Sequence, residues 1–178
     1  MSDDSYAPPD TPLDVIHADH QILVVNKPAG LLSVPGRGEH LADCLIARLR
    51  AAFPEVLLVH RLDRDTSGVM VFALTPAAQR HLGLQFEKRQ VKKAYLARLW
   101  GEMAAREGRV DLPLIVDWPN RPKQMVDPVN GRPAITDWKV LKIDAGTTRV
   151  RLMLHAESLR LRHPDGGKGL TFRAPVPF

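Results

Sequence analysis

Apolar and polar positions alternate along this chain in short runs. DVIHAD (residues 14–19) and QILVVNK (21–27) are brief apolar stretches with β-branched residues, bounded by turn formers. They predict two strands. Asn26-Lys27-Pro28-Ala29-Gly30 predicts a rigid turn, and Ser33-Val34-Pro35-Gly36 a second. Leu41, Leu45, Ile46, Leu49 and Phe53 recur at helical spacing ahead of Pro54, which predicts an amphipathic helix from about His40 to Phe53. LLVHRLD and VMVFALT predict strands on either side of Asp65-Thr66-Ser67-Gly68. Thr75-Pro76 supplies an N-cap and a first-turn proline for a helix to about Gln90. VKKAYLARLWG, ITDWKVLKI, RVRLML and ESLRLRH predict further strands, and Pro164-Asp165-Gly166-Gly167 turns into a last one, GLTFRA. Many strands with two helices predict an α+β domain on a mainly antiparallel or mixed sheet. Residues 1–13 show no such pattern and predict a disordered leader, so the folded domain is expected over 14–178.

Composition narrows the class. With 178 residues, 44% hydrophobic and 25% charged, one globular domain with a real core is the expectation. No apolar run approaches the roughly 18 residues that span a bilayer, so no membrane is implied. The acidic, proline-containing N-terminus does not read as a secretory signal. The lone cysteine, Cys44, excludes an internal disulfide framework and a cysteine-cluster metal site. These features favour the cytoplasm. The net charge of +5 is unevenly spread: residues 1–14 hold Asp3, Asp4, Asp10 and Asp14 and no Lys or Arg. The rest carries 25 basic against 16 acidic residues, a net +9. A body that basic points to a polyanion, above all nucleic acid, although a solvated basic surface would look the same.

Most candidate chemistry reads as structural. His17 and His20 are three apart in a strand–turn, where that spacing does not put both on one face, and no carboxylate or cysteine cluster supports a metal there. Ser33 and Ser67 lack the glycine-flanked elbow of a serine hydrolase. The glycines form neither a phosphate loop nor a dinucleotide fingerprint. Cys44 reads as packing beside Leu45. The segment from His60 to Gly68 differs, because two carboxylates, two guanidiniums, an imidazole and two hydroxyls crowd into nine residues between apolar strands. Asp65 can be explained as a turn cap. Arg61 and Asp63 cannot; two apart in a strand, they would share a face, and charge emerging at a strand end is a frequent site of chemistry.

His60-Arg61-Leu62-Asp63 followed by Thr66-Ser67-Gly68 resembles the signature of the RluA family of pseudouridine synthases. Asn26-Lys27-Pro28-Ala29-Gly30-Leu31-Leu32-Ser33-Val34-Pro35-Gly36 resembles the family's first motif, and Lys92-Lys93-Ala94-Tyr95-Leu96-Ala97 the segment with its active-site tyrosine. Asp111-Leu112-Pro113-Leu114, Asp117 through Gln124, and His155-Ala156-Glu157 resemble the branch that modifies both large-subunit ribosomal RNA and the anticodon stem-loop of tRNAs. The resemblance implies the pseudouridine synthase fold, a basic cleft, and isomerisation of uridine in RNA with no cofactor and no metal. It implies Asp63 as the catalytic aspartate, acting ionised as nucleophile or base. Arg61 would occupy the place of the flipped base and Tyr95 would stack on the uracil. Arg121 and Lys123, in a loop with prolines, are assigned to phosphate contacts on their charge alone. A monomer is expected, and no S4-type RNA-binding domain, since DVIHAD already opens the catalytic fold.

The resemblance has one gap. After Leu152 the family carries a block with a T-G-R-x-H-Q-[LI]-R-x-H motif, whose first arginine pairs with the aspartate. Here Leu152 runs directly into Met153-Leu154-His155. Two explanations stand open. The polypeptide lacks the block, which would favour a non-catalytic RNA-binding module, or it carries the block and the 178-residue sequence omits it. Unpaired edges and a damaged core after such a deletion favour the second.

Overall fold

The computed structural model describes residues 6–176 apart from Pro122 and Ala145; for Asp144 and residues 149–154 it describes the backbone alone. The chain divides into two compact units, residues 1–96 with 153–178, and residues 97–152. The boundary at Leu152–Met153 coincides with the position where the resemblance leads one to expect the further block.

The first unit is a mixed sheet. It contains β1 (Asp14–Ala18), β2 (Ile22–Lys27), the two-residue β3 (Leu57–Leu58), β4 (Ser67–Ala73), the second part of β9 (Thr147–Arg162) and β10 (Gly169–Arg173). The path is β1-β2-β4-β9, with β10 on β9 and β3 on β4. β4 meets β9 in parallel at Ser67–His155 and Gly68–Ala156, whereas β1–β2, β2–β4 and β9–β10 are antiparallel.

β2 and β4 are apolar on both faces because each face is covered. Ile22, Val24, Val69 and Val71 pack with Ala78 and Leu82 of helix α2 (Pro76–Glu87). Leu23, Val25, Met70 and Phe72 pack with Leu45, Ile46 and Leu49 of helix α1 (Leu45–Ala52). Continuous apolar runs, rather than alternation, are what a doubly covered strand requires. Thr75 caps α2 as expected, its hydroxyl accepting from Ala78 N at 3.1 Å, and the helix ends at Glu87 rather than near Gln90.

Helix α1 is shorter than its periodicity predicts. A single 3-10 turn, Glu39–Leu41, precedes an extended Cys44, and the helix begins at Leu45. Leu41 instead folds over Gly36, whose amide bonds to the Leu41 carbonyl. The first amides of α1 find their acceptors in the carbonyls of Leu32 (2.8 Å) and Ser33 (3.3 Å). A helix that starts on neighbouring backbone needs no side-chain cap. Cys44 is fully buried against the α1 face, and burial pushes its thiol pKa up.

In the expected leader, Tyr6 and Pro9 bond to the domain; residues 1–5 lie outside the described part. The Tyr6 hydroxyl donates to Asp43 O at 2.9 Å and accepts from Leu32 N at 3.0 Å. Arg48 donates to Pro9 O at 2.8 Å.

The second unit is an antiparallel ribbon. β6 (Glu107–Val116) pairs with β7 (Gln124–Val126) and with β8 (Arg132–Asp144), which pairs with the start of β9. β5 (Lys92–Trp100) contributes Ala97, which with Val140 anchors a small apolar cluster of Leu99, Met103, Trp138 and Ile143. Neither β6 nor β7 is expected from the sequence pattern. β9 is one strand where RVRLML and ESLRLRH predict two, and it runs through the join at residues 152–153.

Candidate active site

The strand expected through LLVHRLD stops at Leu58, and residues 59–66 are irregular. This corrects the placement of Arg61 and Asp63 on a strand face. Their alternation nevertheless survives, since Arg61 and Asp63 are exposed while Leu62 between them is buried. The segment holds its shape because the first motif takes over the role of a neighbouring strand. The Ser33 hydroxyl donates to Leu62 O at 2.6 Å and accepts from Leu62 N at 3.1 Å. Two residues on, Arg64 O accepts from Gly30 N at 3.0 Å and from the Lys27 ammonium at 2.8 Å. Asp63 is thus pinned on both flanks, and its own carbonyl closes a turn with Thr66 N at 3.2 Å.

Lys27 is fully buried, and its three protons go to Arg64 O, Pro28 O (2.9 Å) and Leu31 O (2.6 Å). Burial pushes its pKa down to about 8, against the opposing pull of Asp65 and Asp63. Gly30 closes this turn with φ +83°, in the left-handed region that glycine adopts without strain.

The Thr-Ser-Gly end of the signature serves packing. The Ser67 hydroxyl lies 2.8 Å from His155 Nδ1, both residues buried. Gly68 has φ +111°, and a Cβ there would stand 2.3 Å from Ala156 O. No side chain fits, so β4 can approach β9 only through a glycine. Beside this contact lies a cavity of about 220 Å³ lined by Asn26, Lys27, Pro28, Ala29, Ser67, His155 and Pro175. Asp63 is not in its wall.

His60 has a structural role. Its Nε2 accepts from Val71 N at 3.1 Å, and its ring stacks on Phe86 with centroids 4.6 Å apart. Burial, assisted by the Lys93 charge, pushes its pKa down to about 4. The unfolded chain therefore takes up a proton near pH 6.5 that the folded chain refuses until about pH 4. Stability should be complete above about pH 6.5 and should fall on acidification toward pH 4, by on the order of 2–3 kcal/mol from this residue. Urea midpoints between pH 7 and 4.5 check this: His60→Gln, which can still accept from Val71, should flatten the decline. An equally steep decline in that variant would exclude His60 as its source.

Tyr95, on β5, is half-buried against the apolar layer that contains Leu31, Leu62 and Phe72. Burial and the Asp63 charge both push its pKa up, so the phenol and the carboxylate feel each other. Asp63, Tyr95 and Lys27 are electrostatically coupled in the first unit. Among the described residues the Asp63 carboxylate has no ion pair, and Arg64 turns instead to Asp65 at 3.1 Å. Arg121 and Lys123 belong to the second unit, in the loop between β6 and β7. His17 and His20 bond separately, to Asp19 at 2.7 Å and to Asp165 at 3.5 Å.

The RNA pseudouridylate synthase family matches residues 21–158, which include the Lys27 turn, Asp63, Tyr95 and the Ser67–His155 contact. The chain belongs to the RNA pseudouridylate synthase family. The dual-specificity RNA pseudouridine synthase RluA of Escherichia coli (strain CFT073) is 43% identical over all of both chains. That of Yersinia pestis is 49% identical over 87% of this chain and 80% of its own. The solved structure of human RNA pseudouridylate synthase domain containing 1 has the same fold, with a TM-score of 0.73 at 23% identity over 97% of this chain and 87% of that one. Conversion of uridine to pseudouridine within RNA is therefore the reaction of this pseudouridine synthase. The match to the Escherichia coli protein extends over 219 positions against 178 residues here, so that relative carries residues this chain lacks. Among the described residues, no helix is long and apolar enough to cross a membrane.

Proposed function

We propose that the chain isomerises uridines in large-subunit ribosomal RNA and in tRNA anticodon stem-loops, as a cytoplasmic monomer, with Asp63 as the catalytic carboxylate. The observation that carries this is the double clamp on Leu62 and Arg64, which holds an exposed Asp63 coupled to the Tyr95 ring. The reaction breaks the N1–C1′ bond, turns the base and joins C5 to C1′; the C5 proton leaves and N1 gains one. Asp63 suits either opening step, attack or proton removal, because its carboxylate is exposed. The target base must first leave its stack, at a cost of a few kcal/mol. Arg61, exposed two residues before Asp63, fills the space that the base vacates. Tyr95 offers the stacking face, and Arg121 and Lys123 contact phosphates. The overlap with relatives named dual-specificity supports both RNA classes.

The experiment is release of tritium from C5-labelled uridine in ribosomal and anticodon stem-loop transcripts, run on material whose intact mass has been measured. Turnover on both substrates is the expected result. RNA binding without turnover from a 19.8 kDa polypeptide would overturn it and leave a binding module.

Tyr95 is tested by a pair of substitutions. Tyr95→Phe should keep RNA affinity, because the ring remains. Tyr95→Ala should lose about 5- to 150-fold, since a base stacked on an aromatic is worth roughly 1–3 kcal/mol. If Phe binds normally but turns over slowly, the hydroxyl also moves a proton. If the Phe variant is merely unstable, with normal turnover per folded molecule, Tyr95 belongs to the core and leaves the site.

A further inference from the structure

The loop between β6 and β7 carries an aromatic ring whose exposure the fold does not explain. Trp118 is 65% exposed, and the loop is nevertheless closed tightly around it. Asp117 N donates to Lys123 O at 3.0 Å, which extends the ladder beyond the Val116–Gln124 pair. Asn120 N donates to Asp117 O at 3.1 Å, Lys123 N to Asn120 O at 3.1 Å, and the Asn120 amide to the Asp117 carboxylate at 2.9 Å. Arg121 is drawn onto the indole. Its Nε donates to Trp118 O at 3.2 Å, and its guanidinium carbon lies 4.4 Å from the ring centroid, well inside cation–π range.

An exposed indole gains nothing from solvent, and a flexible loop could fold it away. Here the backbone closures and the guanidinium hold it out, with one face occupied by Arg121. Arg121 lies on the ring, Lys123 closes the same loop through its backbone, and the Asp117 carboxylate is bonded to Asn120. A flat apolar face, backed by one cation with a second in the same short loop, matches a nucleobase attached to its phosphate. A protein partner would fit the ring but would not require the two charges.

We propose that Trp118 is a stacking platform for an unpaired base of the RNA substrate, with Arg121 braced behind the ring and Lys123 on the adjoining phosphate. The proposal rests on RNA being the substrate. It assigns to this loop a contact with bases as well as with phosphates, and so a preference for RNA whose bases are free. Bases inside a duplex are stacked on each other and cannot reach the ring.

The test measures affinity by fluorescence anisotropy across a salt series, with an RNA stem-loop bearing an unpaired loop and with a blunt duplex of the same stem. Trp118→Ala should lose about 10-fold on the stem-loop and less than 2-fold on the duplex, because stacking is worth roughly that much per base. Its salt slope should match that of the parent, since no ion is released by a stack. Lys123→Ala should flatten the slope by about one phosphate contact. Trp118→Phe, which keeps a smaller ring, should fall between parent and Ala and covers the case in which the Ala variant folds poorly. Equal affinity of parent and Trp118→Ala for the stem-loop would overturn the proposal. So would equal losses on both RNAs, or a change in oligomeric state in Trp118→Ala, which would make the ring a contact between copies. Tritium release by the parent separates the two questions. A parent that turns over while Trp118→Ala binds normally keeps its function and loses this contact. A parent without turnover whose stem-loop preference depends on Trp118 keeps the contact and loses the enzyme.

Discussion

Asp63→Asn should abolish pseudouridine formation, lowering turnover by about 10³-fold or more, while RNA affinity stays within about 3-fold of the parent. The expectation follows from what the carboxylate touches. Asp63 is exposed and, among the described residues, bonds to no cation, so its charge is not spent on holding the fold. Its position is set by its neighbours instead, through the Leu62 and Arg64 backbone. Asparagine has nearly the same shape and accepts none of the constraints away. Thermal stability should therefore be unchanged, which separates loss of chemistry from loss of structure. Tritium release, filter binding and a melting curve on one preparation decide it. Turnover of Asp63→Asn near the parent rate would remove Asp63 from the chemistry.

Charge crowded into a short segment between apolar runs has few structural explanations, which marks the stretch from His60 to Gly68; the family resemblance singles out Asp63 within it. The clamp that holds it was less legible. Lys27 and Ser33 read as parts of turns, and the clamping carbonyls they reach, Arg64 O and Leu62 O, lie 37 and 29 residues further along the chain, a pairing that no local pattern shows. A lysine closing a run of buried β-branched residues was the available signal, because lysine is almost never fully buried unless its protons are all taken. Fold class and the presence of strands β2 and β4 follow from apolar runs, while their cover on both faces is seen only in the structure. β6 is hard to see in the sequence because Gly108 and Pro113, both disfavoured in strands, break the short alternation of Val110, Leu112 and Leu114. The helix over 40–53 was overextended because Leu41 matches the helical period but packs on Gly36 from a separate turn. The strand through Arg61 and Asp63 was overextended for the reverse reason: alternation survives there without a partner strand, since Ser33, Gly30 and Lys27 supply the bonds.

Lys27→Met should destabilise the protein by about 3 kcal/mol and carry activity down with it. The two charges near Lys27 do not set this magnitude. The pKa of the ammonium is pushed down to about 8, so burying the charge costs more than Asp65 and Asp63 return. As pH rises from about 8 toward the ordinary lysine value near 10.5, the unfolded chain holds a proton that the folded chain has released, and this residue's contribution to stability rises with pH. What methionine removes is the three donors. Pro28 O, Leu31 O and Arg64 O would lose their bonds to the ammonium, each worth roughly 1 kcal/mol. Arg64 O keeps the Gly30 amide, so the turn should loosen rather than come away. Asp63 would then lose definition on one flank. Lys27→Arg should not restore the parent, because a planar guanidinium cannot aim three protons at carbonyls converging on one nitrogen. Urea unfolding gives the stability loss, and turnover measured at a temperature where the variant is fully folded gives the positional part. A Lys27→Met protein that is as stable as the parent would show that the three carbonyls find water or other donors. A stable variant with parental turnover would show that the clamp does not position Asp63.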